Sequence, residues 1–172
     1  MAARRRPRKP PKAGAGLCLL LAVSGALGLS LLGLSCRTDA ATTEYVVVDR
    51  NSGLAINGFD PIAYFTDHAA VLGRGQFEYR YAGAVWRFHN SGNRAAFAAD
   101  PDVYMPRYGG YDPVAVGRDA PVAGDPRVWL IAGERLYLFH SSDSRSAFAS
   151  DVTEAIAAAD RAWPRVQLTL SP

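Results

Sequence analysis

From Ala41 onward the chain contains no cysteine and no lysine. The only cysteines, Cys18 and Cys36, lie in the first 40 residues. The downstream part therefore has no internal disulfide and no thiolate metal site. Its positive charge is all arginine, 12 Arg against 15 Asp and Glu, a balance of −3. The formal +3 of the 172-residue chain, and its pI of about 9.0, thus come from the leader and are no signature of nucleic-acid binding. No phosphate loop, Gly-x-Gly-x-x-Gly, Gly-x-Ser-x-Gly or His-Glu-x-x-His motif occurs, which removes the motif-defined nucleotide, hydrolase and zinc-protease readings.

What the leader does have is basic residues (Arg4, Arg5, Arg6, Arg8, Lys9, Lys12) followed by an uncharged, mostly apolar run, 17–34. That order marks an export signal or a signal anchor over residues 1–40. Eighteen residues at 1.5 Å rise barely reach the ~30 Å of a bilayer core, so a retained anchor would be short. Three readings stay open: a cleaved signal before residue 41, a retained membrane anchor, or lipidation of Cys36 in a degraded lipoprotein box. All three place the folded part outside the cytoplasm, periplasmic or on the outer face of the membrane.

The folded part repeats itself. Residues 88–100, from Phe88-His89 to Asp100, recur 51 positions later as 139–151, with eight of 13 residues identical. Gly58-Phe59-Asp60-Pro61-Ile62-Ala63 recurs as Gly110-Tyr111-Asp112-Pro113-Val114-Ala115, and Ala82-Gly83 is matched to Ala132-Gly133. A period near 50 with motifs in the same order is an internal duplication. The divisions read as a lead-in at 41–57, two pseudo-repeats at 58–108 and 110–164 forming one domain, and a tail at 165–172.

Each repeat reads as an Asp-Pro turn, a hairpin and a helix. In Phe77-Glu78-Tyr79-Arg80-Tyr81 rings and charges alternate, predicting a hairpin with one buried aromatic face. Val128-Trp129-Leu130-Ile131 and Leu136-Tyr137-Leu138-Phe139 are continuously apolar, predicting central strands covered on both faces. Gly73-Arg74-Gly75 reads as loop. Asn90 or Ser91 offers an N-cap for a short helix that Asp100-Pro101 interrupts. The second helix, from about Ser142, carries Phe148, Val152, Ile156, Ala159 and Trp163 on one stripe and is expected to end at Pro164 after crossing a sheet built from both hairpins. The fold class is α+β. Trp86, Trp129, Trp163, Phe97 and Phe148 are its structural aromatics, and Asp60-Pro61 and Asp112-Pro113 its structural turns, each Asp accepting backbone N–H groups two residues on.

These motifs resemble the YHS domain family. Gly58 to Phe65 is similar to the family's opening; Trp86-Arg87-Phe88, Asn93-Arg94 with Phe97, and Pro106-Arg107-Tyr108-Gly109-Gly110-Tyr111 to its body; Asp125-Pro126, Ala159-Asp160 and Trp163-Pro164 to the tail of longer exported members. The resemblance spans most of 54–164 and implies an exported binding module, not an enzyme. Short family members in copper-transporting ATPases carry cysteines that suggest metal binding. Here Ala63, His89 and Asn93, then Ala115, His140 and Ser144, stand at those positions.

His89 and His140 are accordingly the candidate ligands for copper or zinc, with Asp60, Asp112 or Asp143 completing a shared site; the bland alternative is that each imidazole bonds local backbone. Tyr104, Tyr108 and Tyr111 either line a pocket for a small aromatic ligand or pack the joint between the repeats. Arg94 and Arg145 are expected to bond a nearby carboxylate or carbonyl. The expected partners are the membrane through the leader and a cell-envelope protein, with no nucleic acid. An interaction protein with no small ligand is the competing function.

Overall fold

Strand β1 (Arg74–Tyr81) turns back into β2 (Ala84–Phe88), and its alternation holds: Phe77, Tyr79 and Tyr81 are half-buried while Glu78 and Arg80 are exposed. The protein is described here from a computed structural model covering residues 45–170; the leader, with its anchor, cleavage and Cys36 lipidation readings, lies outside the described residues. Among the described residues no helix is long and apolar enough to cross a membrane.

The chain runs from a lead-in through α1 (Ala63–Thr66), the first hairpin, α2 (Ser91–Ala99), α3 (Pro101–Tyr104), α4 (Pro113–Val116), a second hairpin of β3 (Asp125–Ala132) and β4 (Arg135–Phe139), then α5 (Ser142–Ser150) and α6 (Val152–Gln167). The α+β class is as the sequence indicates. The hairpins do not join, however: each is its own two-stranded antiparallel sheet. The backbone of β2 is engaged elsewhere, since Ala55 N–H donates to Val85 C=O at 2.9 Å and Leu54 bridges Val85 in parallel.

The second hairpin is central, as its apolar run requires. Along β4, Leu136 and Leu138 enter one buried cluster with Trp86, Phe88, Phe97 and Tyr64, while Tyr137 and Phe139 enter another with Phe148, Tyr108 and Val166. Alternate side chains point to opposite faces of a strand, so one strand belongs to two cores. Val46 and Val47 of the lead-in divide the same way. The repeats are tied across by the Tyr64 hydroxyl, which donates to Pro126 C=O at 2.8 Å, and by the Tyr64–Trp129 ring contact at 5.3 Å.

The duplication is written in the backbone too. Ile56, Asn57 and Gly58 have φ of 43°, 55° and 77°, and Tyr108, Gly109 and Gly110 have 55°, 63° and 91°. Three successive left-handed residues recur although only the last is glycine in both copies. At Gly73 and Gly124 a Cβ would lie 2.5 Å from the Arg87 backbone and 2.6 Å from Leu138 Cβ, so the chain passes too close to the returning strand for any side chain.

Four expectations are corrected. The turn residues are Ala82-Gly83 and Gly133-Glu134, all with positive φ, because Tyr81 pairs with Ala84 and Ala132 with Arg135; the match to Ala132-Gly133 was one residue out of register. Arg74 and Gly75 belong to β1 and are not loop. The second helix breaks at Asp151 (φ −150°, ψ 82°), as the first does at Asp100 (φ −138°, ψ 66°); the Asp151 carboxylate accepts from Glu154 N–H at 3.0 Å and starts α6 anew. Pro164 lies inside α6 rather than at its end. An interior proline costs about 3 kcal/mol. Burying Val166 and Leu170 on the second core returns roughly 1.5–3 kcal/mol each, which is why the chain after Pro164 stays packed on that core. Helix α6 packs on α4, where a Cβ at Gly117 would meet Ala158 Cβ at 3.3 Å, and its buried Ala159 and Val166 belong to the second core.

Candidate functional site: two aspartate–histidine pairs

Each Asp-Pro turn places a carboxylate that is 0% exposed against the histidine closing its hairpin. In the first repeat Asp60 Oδ1 accepts from Ile62 N–H at 2.9 Å, and Oδ2 from His89 N–H at 2.9 Å and from Asn93 Nδ2 at 2.8 Å. His89 Nδ1 lies 3.2 Å from the same Oδ2. In the second, Asp112 Oδ1 accepts from Val114 N–H at 2.8 Å and from Ser144 Oγ at 2.8 Å. Its Oδ2 accepts from His140 N–H at 2.9 Å and from His140 Nδ1 at 2.6 Å. A buried carboxylate with four donors at Asp60 and, counting Ala115 N–H at 3.3 Å, five at Asp112 clamps turn, strand end and helix together.

Burial pushes the Asp112 carboxyl up, but the bonds from Ser144 Oγ, His140 N–H and ring, and Ala115 N–H outweigh it and hold it below the ordinary aspartate value. The Nδ1 contact to an acceptor-only carboxylate makes Nδ1 the donor in both histidines, with Nε2 on the far side of the ring.

The two pairs diverge at the helix cap. Asn90 caps α2 through Oδ1, which accepts from Asn93 N–H at 2.8 Å. That bond fixes the amide's orientation and lays Nδ2 over the imidazole, 3.0 Å from His89 Nε2 and 3.4 Å from Nδ1. The cap amide thus covers one face of the His89 ring. In the second repeat the cap is Ser141, whose one oxygen accepts from Ser144 N–H at 3.2 Å. Nothing is left for the ring, and His140 Nε2 has no partner among the described residues. The side chains are 30% exposed for His89 and 49% for His140. His140 borders an open groove of about 350 Å³ with Val114, Arg118, Asp143, Ser144 and Ala147.

A shared metal site is not formed. Among the described residues no three His, Cys, Asp or Glu side chains are grouped to hold an ion, and the Asp60 and Asp112 oxygens are committed to backbone and side-chain donors. The donor set does not fit a resident copper or zinc, for which a structural site supplies three or four ligands. Ser144 Oγ bonds the aspartate rather than His140 Nε2, so it is not the activated hydroxyl of a triad.

Of the three tyrosines, Tyr104 packs edge-on to Phe65 at 5.5 Å and Tyr111 lies against Trp163 at 6.3 Å. Tyr108 borders a groove, while its hydroxyl donates to Asp160 at 2.9 Å; burial and that carboxylate push its ionisation up. Arg94 and Arg145 stand exposed with no bonding partner among the described residues, against expectation. The cap difference between Asn90 and Ser141 is the feature that sequence reading passed over, although both residues stand in the repeated segment. No protein family, no curated protein and no solved structure matches this chain.

Proposed function

We propose that the chain is an exported, non-enzymatic binding module of the YHS type, in which His140 is the ligand-facing group and His89 a structural latch. The observation that carries this reading is the unpartnered Nε2 of His140, held outward by a carboxylate at 2.6 Å beside an open groove. A carboxylate behind an imidazole fixes the orientation of the ring, as in metal-bound histidines. A copper or zinc ion would be cargo taken transiently by one imidazole, with the rest of its coordination supplied by the donor.

The Asp side of the same bonds favours a second reading, an envelope interaction protein with no small ligand. Both carboxylates fasten backbone N–H groups of the hairpin end and the turn, which is a structural duty in itself.

Cu(II) titration of the purified full chain separates the two. The first reading expects one ion per chain with a single-imidazole signature by electron paramagnetic resonance, lost in His140→Ala and kept in His89→Ala. Absence of saturable binding, or binding that needs His89, would remove cargo handling and leave the interaction reading.

A further inference from the structure

A second groove, of about 240 Å³, opens away from both aspartate–histidine pairs and is bordered by Met105, Pro106, Arg107, Tyr108, Arg135 and Trp163 among others. Among the described residues no acidic side chain borders it. Its two guanidinium groups differ in one respect. Arg107 is ion-paired to Asp160 at 2.8 Å, and Asp160 also takes the Tyr108 hydroxyl. Arg135 has neither a hydrogen bond nor an ion pair among the described residues, and its Nε–H is buried with no acceptor. Buried polar atoms without partners are uncommon, and a charged one is the most costly kind to leave unmade.

The position is not a requirement of the repeated fold, since at the equivalent place after the first turn the chain has Ala84. Trp163, held edge-on to Tyr108 at 5.5 Å, gives the groove a flat aromatic wall, and Met105 and Pro106 add apolar surface. We infer that this groove binds a small aromatic carboxylate, its anion on the terminal Nη groups of Arg135, which are neither buried nor partnered among the described residues, and its ring against Trp163. A guanidinium matches a carboxylate through paired N–H donors, and the apolar wall discriminates against a bare inorganic anion. The site is independent of the His140 reading.

The test uses the full chain with benzoate as probe and benzamide as its neutral counterpart, followed by the side-chain resonances of Arg135 Nε–H and Trp163 Nε1–H. Benzoate is expected to shift both resonances along one saturable curve, with benzamide at least about tenfold weaker. Arg135→Met is expected to weaken benzoate by a similar factor and to leave the His140 region unmoved. Equal binding of benzamide and benzoate, saturation by inorganic phosphate at the same strength, or no saturable shift would each overturn the proposal. The comparison of the two probes on the unmodified chain holds even where Arg135→Met does not fold.

Discussion

The two repeats keep one scaffold and put it to different physical uses. In the first, the hairpin buries one face, and the positions Glu78 and Arg87, paired across strands, form an exposed ion pair at 2.8 Å. In the second, the equivalent pair is Trp129 and Leu138, because that hairpin has a core on both sides. The same division appears at the histidines, where an asparagine cap closes one ring and a serine cap leaves the other open. Both copies keep the carboxylate clamp, and what differs is how much of the imidazole the cap residue leaves uncovered.

The largest effects should come from the aromatic cores. Phe97 touches the rings of Trp86, Phe88, Tyr79 and Tyr81, whereas Phe148 touches those of Tyr137 and Phe139. Both are fully buried, so either change to alanine is expected to cost about 3–5 kcal/mol in denaturant unfolding, with Phe97→Ala the more severe. Equal or reversed costs would break the ranking of the two cores.

At the strand pair the repeats should part company. Trp129→Ala is expected to cost about 3 kcal/mol, and Glu78→Ala, at the equivalent place, under about 1 kcal/mol, since an exposed ion pair contributes little. Comparable losses would mean that the first hairpin is covered on both faces after all.

The aspartates sharpen the comparison through pH. With its carboxyl below the ordinary value, Asp112 contributes stability that is fully present above the unfolded value of about 3.9 and is lost as pH falls through the lower folded value. Urea midpoints followed from about pH 5 down to about pH 2 should therefore fall, and Asp112→Asn should flatten part of that slope while lowering stability by about 1–3 kcal/mol at neutral pH. An unchanged slope would contradict the clamp.

Much of this was legible in the chain. The repeated Phe-His-x-Ser segment located both imidazoles, the alternation in 77–81 gave the one-faced hairpin, and the apolar run in 128–139 gave the two-faced one. The single expected helix was misread because its apolar stripe runs straight through Asp151, and a stripe records which face is buried, not whether the axis is continuous. Pro164 was misread for the opposite reason: a local breaker was outweighed by Val166 and Leu170, whose burial depends on distant residues. The separation of the sheets lay in lead-in bonds to β2 that no local pattern encodes.

The smallest expected change is also the most direct. Carbethoxylation of the imidazoles by diethyl pyrocarbonate, read residue by residue by mass spectrometry, compares the two Nε2 atoms in one molecule. His140 should react several-fold faster than His89, whose ring is less exposed and covered on one face by the cap amide, and exchanging the caps as Asn90→Ser with Ser141→Asn should narrow or invert that ratio. Equal rates in the unmodified chain, or a ratio that ignores the cap exchange, would contradict the claim that the cap residue decides which histidine is open.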